Sequence, residues 1–162
     1  MTDRKAVVIT VSDGVHSGSR EDKSGDLLAQ LVETAGFTVA EREVLPDVQA
    51  MLVAAFQRHA ATPGVDLVVT TGGTGLGPRD VTPEATLGVI ERQIPGMAEA
   101  MRAKSIEKTP LAMTSRQVVG VRGTTLIVNF PGSPKAVAQC FEVVEPVLHH
   151  VIDLIHGNTE HK

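Results

Sequence analysis

Short apolar segments rich in β-branched residues alternate along this chain with segments whose apolar residues recur at helical spacing. Ala6–Val11 and Val65–Thr71 are typical of strands buried on both faces, and Thr124–Asn129 is a third strand-like segment. Strands that alternate with helices favour an α/β fold, in which a mostly parallel central sheet carries helices on both faces. Because Gln117–Val121 closely precedes the last strand, we also predict a small β-hairpin that turns at Arg122-Gly123.

The helix boundaries are predicted from capping residues and prolines. Ser24 is expected to be the N-cap of one helix, and Thr82 the N-cap of another with Pro83 at its first position. An apolar stripe at helical spacing predicts a long final helix from residue 134 towards residue 155. Pro146 lies inside that stripe and should kink or restart the helix, because proline lacks the backbone N–H.

The composition indicates one globular domain over residues 1–162. The chain has 42% hydrophobic and 21% charged residues, which excludes a disordered chain. A formal net charge of −4 argues against a broad nucleic-acid surface but is compatible with a small anionic ligand. The single cysteine, Cys140, excludes an intramolecular disulfide, and no apolar run approaches the ~18 residues of a membrane span. We therefore expect a cytoplasmic protein with no nucleic-acid or membrane partner.

The most informative segment is the Gly-rich loop that follows the strand Val65–Thr71. Glycines after a buried strand let the backbone approach a ligand and turn successive N–H groups towards an anion. The residues in question are Gly72, Gly73, Thr74 and Gly75. Asp80 lies between this loop and the helix expected at Thr82, and a carboxylate beside phosphates favours a bound Mg²⁺. The alternative is a tight turn in which the glycines serve packing and Asp80 serves capping.

Two further segments should lie at the same edge of the sheet, because ligands of parallel sheets bind beyond the carboxyl ends of strands. Ser12-Asp13 follows the first strand, and Pro131-Gly132-Ser133 follows the last. Asp47, after Pro46 and before a helical stripe, is a candidate second carboxylate of the metal site. Each has a simpler alternative: Ser12-Asp13 as an Asx turn, and Ser133 and Asp47 as helix N-caps.

The remaining reactive side chains give weaker signals. Arg79 and Arg116 are the candidates for contacts with an anion, although solvated surface charge is the commoner role of basic residues. None of the six histidines has the spacing of a ligand set, so most of them are expected at the surface. Cys140 falls in the apolar stripe of the final helix, which favours a core residue over a nucleophile.

The motifs together resemble a known family, the molybdopterin adenylyltransferases of molybdenum-cofactor biosynthesis and the related molybdopterin-binding proteins. The plant two-domain enzyme and the pterin-binding domain of gephyrin belong to the same group. The matching stretches run in family order over nearly the whole chain: Thr10-Val-Ser-Asp13, Ser24-Gly25, Leu45-Pro46-Asp47, Thr71-Gly-Gly-Thr-Gly75, Pro78-Arg-Asp-Val-Thr-Pro-Glu-Ala85, Ile94-Pro-Gly96, Ser115-Arg116 and Asn129-Phe-Pro-Gly-Ser-Pro134. Several independent stretches in register are far more specific than one Gly-rich loop.

The resemblance implies a three-layer α/β/α fold, a homotrimer, and contacts with the proteins that act before and after this one in cofactor biosynthesis. It implies that the terminal phosphate of molybdopterin attacks the α-phosphorus of ATP, with Asp47 and Asp80 as catalytic residues that hold Mg²⁺. It also implies that the residues contacting ATP and molybdopterin are Ser12, Asp13, Ser24, Gly72, Gly73, Thr74, Gly75, Arg79, Ser115, Arg116, Pro131, Gly132 and Ser133. Where this chain has Ser133, the family often has asparagine, and serine can still accept and donate a hydrogen bond there.

Two other functions remain open from the sequence. A protein of the same family can bind molybdopterin without adenylyltransferase activity, and a motif does not prove turnover. The intact Pro78-Arg79-Asp80 segment, together with Asp47, favours the enzyme. The second alternative is a trimeric scaffold like the gephyrin domain, which is disfavoured because no linker or second domain follows the fold in this chain.

Overall fold

Six strands form one sheet in the computed structural model, which describes residues 3–160. In chain order they are β1 (Lys5–Val11), β2 (Thr38–Leu45), β3 (Val65–Thr71), β4 (Arg92–Gln93), β5 (Val119–Arg122) and β6 (Thr125–Phe130). Their order in the sheet is β2-β1-β3-β6-β5-β4. The first four of these strands run parallel, whereas β5 pairs antiparallel with both β6 and β4. The predicted α/β fold, with its mostly parallel sheet and small hairpin, is confirmed.

Helices cover both faces of the sheet. In chain order they are α1 (Asp13–His16), α2 (Lys23–Thr34), α3 (Gln49–Ala61), α4 (Thr82–Leu87), α5 (Pro95–Ile106) and α6 (Pro134–Ile155), with a 3₁₀ helix at Pro110–Thr114. Apolar residues of α2, α5 and α6 form the core on one face, and those of α3 and α4 form the core on the other. The structure therefore has three layers.

The central strands contribute alternate side chains to the two cores. In β1, Val8 packs with the α2–α6 layer, whereas Val7 and Ile9 pack with the α3–α4 layer. In β3, Val69 packs with the α2–α6 layer and Val68 packs with the α3–α4 layer. Because successive strand residues point to opposite faces, a strand covered on both sides must be apolar at every position. This explains why these segments are continuous apolar runs.

Two predicted helix caps are wrong. The N-cap of α2 is Asp22, whose carboxylate accepts the Gly25 N–H at 3.1 Å, so Ser24 lies inside the first turn instead. The N-cap of α4 is Val81, with no side-chain hydrogen bond. The Thr82 hydroxyl donates to the carbonyl of Gly72 at 2.9 Å, because the Gly-rich loop folds back over the start of this helix.

At Pro146 the predicted restart of the final helix is wrong, whereas the predicted kink stays a prediction. Helix α6 runs for 22 residues through this proline. Proline removes the hydrogen bond to the carbonyl four residues earlier, but both Pro146 and Glu142 are exposed, so water can reach that carbonyl. The buried stripe of α6 includes Cys140, which confirms its assignment to the core. Within residues 3–160, no helix is long and apolar enough to cross a membrane.

Candidate active site

The carboxyl ends of β1, β3 and β6 lie side by side, because these parallel strands are neighbours in the sheet. The loops that follow them are therefore adjacent, as the sequence predicted. Two hydrogen bonds join the loops after β3 and β6: the Gly72 N–H donates to Phe130 O at 3.1 Å, and the Thr71 hydroxyl donates to Pro131 O at 2.8 Å. The Ser12 N–H joins the loop after β1 to Leu45 O at the end of β2, at 2.9 Å.

The glycines of the loop after β3 are required by close packing as well as by backbone conformation. Gly72 has φ +99°, and a Cβ atom there would lie 2.2 Å from Val11 O. Gly73 has φ +69°, and its Cβ would lie 2.4 Å from Thr82 Oγ1 and 3.1 Å from Asp47 Oδ1. A positive φ is costly for any residue with a side chain, so both positions need glycine. The backbone of this loop is thereby exposed directly to two cavities.

One cavity, of about 430 Å³, is lined mainly by apolar groups. Its walls include Leu111, Ala112 and Ala136, with polar groups from Gln117 and Gln139. We call it the apolar cavity. An apolar pocket with a few placed polar groups is the usual form of a site for a ring-containing ligand.

The second cavity, of about 340 Å³, is more polar and meets the Gly-rich loop at Gly72 and Gly73. Ser12, Arg20, Lys23, Ser24 and Asp47 are among its lining residues, and we call it the polar cavity. The two cavities share three lining residues, which are Gly73, Asp80 and Gly132. A ligand in one cavity can therefore meet a ligand in the other at these three residues.

The Asp80 carboxylate is held by the backbone around it. Its Oδ2 atom accepts the Gly77 N–H at 2.9 Å, and the Asp80 N–H donates to Gly77 O at 3.0 Å. A Cβ atom on either Gly75 or Gly77 would lie 2.9 Å from Asp80 Oδ2. The absence of side chains at these two glycines therefore makes room for the carboxylate at the junction of the cavities.

Asp47 is bound to Asp13 instead of capping α3, whose N-cap is Val48. The Asp13 N–H donates to Asp47 Oδ2, which is why the predicted capping alternative for Asp47 is wrong. The pKa of Asp47 is raised because the group is partly buried and because Asp13 and Asp80 place negative charge nearby. The pKa of Asp13 is lowered, chiefly because the Arg79 guanidinium donates to it at 2.9 and 3.0 Å.

Asp47 and Asp80 suit a hard cation by their chemistry. Carboxylate oxygens are ligands that Mg²⁺ accepts, and a cation would relieve the repulsion that raises the pKa of Asp47. Asp13, Asp47 and Asp80 do not place three carboxylate oxygens within 4.8 Å of one another. The protein therefore offers Mg²⁺ one or two carboxylates, which matches the way this ion binds together with substrate phosphates.

Both arginines chosen from the sequence as anion contacts have protein partners. Arg79 pairs with Asp13, and Arg116 donates to the carboxylate of Glu84 and to two backbone carbonyls. The cations that line the polar cavity are instead Arg20 and Lys23, and neither has an ion-pair partner among residues 3–160. Neither was predicted from the sequence, although both lie between two predicted substrate-binding residues, Asp13 and Ser24.

All four predicted serines line the cavities, and three of them have local side-chain hydrogen bonds. Ser12 caps α1 by accepting the Val15 N–H at 3.2 Å, and Ser133 caps α6 by accepting the Ala136 N–H at 3.2 Å. The capping alternative for Ser133 is thus confirmed. The Ser115 hydroxyl donates to the side chain of Gln117. The backbone of Thr74, a buried residue, accepts a hydrogen bond from the Arg116 N–H at 2.8 Å. Ser115, Pro131 and Ser133 line the apolar cavity.

His59 is a buried exception to the prediction that most histidines lie at the surface. Its imidazole lies 2.8 Å from Glu43 and 3.8 Å from Glu41, a grouping that involves residues distant in sequence. The three side chains have metal-ligating types, but Arg58 already donates two hydrogen bonds to Glu43 at 2.8 and 2.9 Å. We interpret the cluster as ion pairing between β2 and α3. His161 lies outside the described residues.

Comparison with known proteins agrees with the motifs. A family model described as a probable molybdopterin binding domain matches residues 7–150. A molybdopterin adenylyltransferase of Helicobacter pylori J99 is 38% identical over 153 residues, which are 93% of this chain and 87% of that protein. The Escherichia coli K12 molybdopterin adenylyltransferase is 38% identical over 152 residues, covering 93% and 77%. The crystal structure of the molybdopterin biosynthesis enzyme MoaB from Thermus thermophilus superposes with a TM-score of 0.89. It is 44% identical and covers 95% of this chain and 97% of its own.

The fold and the site define an α/β protein with two adjoining cavities at the carboxyl ends of its parallel strands. The family model matches most of the chain, and this protein therefore belongs to the molybdopterin-binding domain family.

Proposed function

We propose that this protein transfers the adenylyl group of ATP to the terminal phosphate of molybdopterin during molybdenum-cofactor biosynthesis. An oxygen of the molybdopterin phosphate forms a bond to the α-phosphorus of ATP. The bond from that phosphorus to the oxygen bridging the α- and β-phosphates breaks, and pyrophosphate leaves with the electron pair. The products are adenylyl-molybdopterin and pyrophosphate. Relatives that carry the name molybdopterin adenylyltransferase over nearly the full length of this chain support the proposal.

The observation that carries the proposal is the junction of two cavities at Gly73, Asp80 and Gly132. An adenylyl transfer between two substrates needs two binding sites that open towards one reacting phosphorus. In such a reaction the protein mainly positions the substrates and neutralises the charge of their phosphates, because little covalent chemistry involves the protein itself. Backbone N–H groups of the Gly-rich loop and the helix termini around it are suited to phosphate oxygens.

The polar cavity is the proposed site of the ATP phosphates. Arg20 and Lys23 line it without ion-pair partners among the described residues, at the start of α2. Two such cations beside a helix N-terminus favour a strongly anionic group such as the leaving pyrophosphate. The apolar cavity, with Leu111, Gln117 and Gln139 in its walls, suits a flat heterocycle that needs both apolar contact and hydrogen bonds.

Asp47 and Asp80 would hold the Mg²⁺ that the family resemblance implies. When bound, this ion neutralises negative charge on the phosphates. Each carboxylate is held by a backbone N–H group: the Gly77 N–H donates to Asp80 at the junction of the cavities, and the Asp13 N–H donates to Asp47. The cytoplasmic location, the homotrimer and the contacts with other cofactor-biosynthesis proteins remain predictions of the sequence.

The decisive experiment incubates the purified protein with molybdopterin, ATP and MgCl₂ and follows both products. The expected result is pyrophosphate release that requires all three components, together with a molybdopterin product heavier by one adenylyl group. An assay without molybdopterin controls for simple ATP hydrolysis.

The same experiment separates the enzyme from a pterin-binding protein of the family. Saturable binding of molybdopterin without pyrophosphate or adenylylated product would contradict the proposal and identify a binding protein. The two cavities would then serve storage or transport of the pterin instead of its adenylylation.

A further inference from the structure

Arg116 joins both ends of the loop that carries Asp80. Its Nε donates to Gly75 O at 2.8 Å, and its Nη2 donates to Asp80 O at 3.0 Å. Its Nη1 forms an ion pair with Glu84 in the first turn of α4, and its backbone N–H donates to Thr74 O. One residue thus contacts the beginning of the loop, its end and the helix that follows.

Apart from the hydrogen bonds of Arg79 to Asp13, the loop between these contacts is exposed. Leu76, Gly77, Pro78 and Arg79 are exposed, and Leu76 is 70% exposed. The Asp80 carboxylate is held by the Gly77 N–H, which belongs to this same exposed segment. The position of the carboxylate therefore depends on the position of the loop backbone, and Arg116 binds that backbone on both sides of Gly77.

Arg116 is itself held from behind. Arg102 of α5 donates to the carbonyls of Ser115 and Gln117, at 3.3 and 3.0 Å, which are the residues on either side of Arg116. The Glu84 carboxylate is held by its ion pair with Arg116, which also lowers the pKa of Glu84. Its second carboxylate oxygen is buried with no hydrogen-bond partner among the described residues. Arg116 is thus held through the backbone on either side of it and through its guanidinium group.

We propose that Arg116 is a positioning residue for Asp80 and makes no contact with substrate. The inference rests on the proposed adenylyl transfer and differs from the family-based expectation that Arg116 binds substrate. All three of its guanidinium nitrogens donate to protein acceptors. The planar guanidinium matches three fixed acceptors at once, which a lysine ammonium on a flexible stem does not.

Arg116→Lys is the variant that tests the proposal. It keeps the positive charge opposite Glu84 and removes the planar guanidinium that donates to three acceptors at once. We expect kcat to fall by about 10²-fold, as expected when a reacting group moves by roughly an ångström. The KM values for ATP and molybdopterin should change little, since neither cavity loses a binding group. Arg122→Lys is the matched control: Arg122 likewise donates to a carbonyl and lines neither cavity, but its acceptor is Val89 O, at 2.9 Å, outside the loop that carries Asp80. Its kcat should equal that of the unmodified protein.

A second measurement needs no substrate and therefore stands even if the proposed reaction is wrong. Amide hydrogen exchange reports local opening of the backbone. In Arg116→Lys the Gly77 amide, which donates to Asp80, should exchange at least about tenfold faster, whereas amides of β3 should keep their protection. If Arg116→Lys does not fold, Glu84→Gln provides the same test with a smaller expected change, because it weakens only one of the contacts of Arg116.

Three results would overturn the inference. The first is unchanged Gly77 exchange in a folded Arg116→Lys protein. The second is a rise in KM for one substrate at constant kcat, which would make Arg116 a direct substrate contact. The third is an equal loss of kcat in Arg122→Lys, which would indicate a general structural effect. Failure of the reaction itself would appear differently, as no turnover in the unmodified protein with the exchange difference still present.

Discussion

Asp13 and Asp47 exchange two hydrogen bonds: the N–H of Asp13 donates to Asp47 Oδ2 at 2.9 Å, and the N–H of Asp47 donates to Asp13 Oδ1 at 3.0 Å. The two residues lie at the ends of neighbouring parallel strands, β1 and β2. Arg79 extends the connection to the Gly-rich loop by its two hydrogen bonds to Asp13. Three loops are therefore joined around the candidate Mg²⁺ carboxylates.

Asp47→Asn should stabilise the protein in Mg²⁺-free buffer while it suppresses turnover. The folded-state pKa of Asp47 is raised, so the ionised carboxylate destabilises the fold at neutral pH, and a neutral amide removes that cost. The gain in the free energy of unfolding should be largest at neutral pH. It should vanish at pH values below the unfolded-state pKa, about 3.9, where the carboxyl is protonated in both states. Thermal unfolding as a function of pH measures it, and a neutral-pH Tm lower than that of the unmodified protein would contradict the assignment.

Arg79→Gln should move the acid limb of the pH–rate profile to higher pH. The Arg79 guanidinium lowers the pKa of Asp13 and also acts to lower that of Asp47, so its removal raises both. A rate that needs ionised carboxylates then falls at a higher pH. Because Arg79 and Asp13 are exposed, the shift should be larger at low ionic strength. Arg79→Lys is the control that keeps the charge. A limb that shifts to lower pH would disprove the electrostatic role.

Gly75→Ala should reduce turnover with little loss of stability. The backbone of Gly75 is not in a positive-φ conformation, and a methyl group there would meet the end of the Asp80 side chain, at 2.9 Å. The carboxylate must move, and we expect a loss of about 10²-fold in kcat. Gly72→Ala is the comparison, since its methyl group would lie 2.2 Å from Val11 O on a positive-φ backbone. That variant should unfold at a much lower temperature. Equal Tm values for the two would be inconsistent with this account.

Lys23→Ala should raise the KM for ATP more than that for molybdopterin. Lys23 lines the polar cavity without an ion-pair partner among residues 3–160, and Arg20→Ala should act in the same direction. Removal of one charged contact to a phosphate group typically costs about 1.5–3 kcal/mol, or roughly tenfold to a hundredfold in affinity. Lys108→Ala, an exposed lysine outside both cavities, controls for net charge. An unchanged KM for ATP in both cavity variants would place the nucleotide phosphates elsewhere.

Much of the fold was predictable because the strand pattern is strong. Continuous apolar runs such as Val65–Thr71 indicated the buried parallel strands, and the polar loops after them had to meet at one edge of the sheet. Two of the errors concern residues whose partners are distant in sequence. Asp47 resembles an N-cap locally, yet it binds Asp13, 34 residues earlier. The Thr82 hydroxyl likewise donates to Gly72 O in the Gly-rich loop instead of capping its own helix.

The candidate site was predicted as a set of loops more accurately than as a set of contacts. Arg79 and Arg116 were chosen because they lie in or near the predicted binding loops, but both are engaged with acidic side chains of the protein. Arg20 and Lys23 were missed because neither has a motif of its own. Ion pairing depends on which acidic residue the fold brings near each cation, and sequence spacing does not contain that information.

The central claim is that Asp80, at the junction of the two cavities, is needed for adenylyl transfer and not for pterin binding. The most direct test compares Asp80→Ala with the unmodified protein, measuring molybdopterin binding by calorimetry and pyrophosphate release in the presence of ATP and MgCl₂. We predict unchanged molybdopterin affinity together with a loss of turnover of at least about 10²-fold, the usual cost of losing one preorganised charge-stabilising group. Near-normal pyrophosphate release by Asp80→Ala would contradict the account and remove this carboxylate from the chemistry.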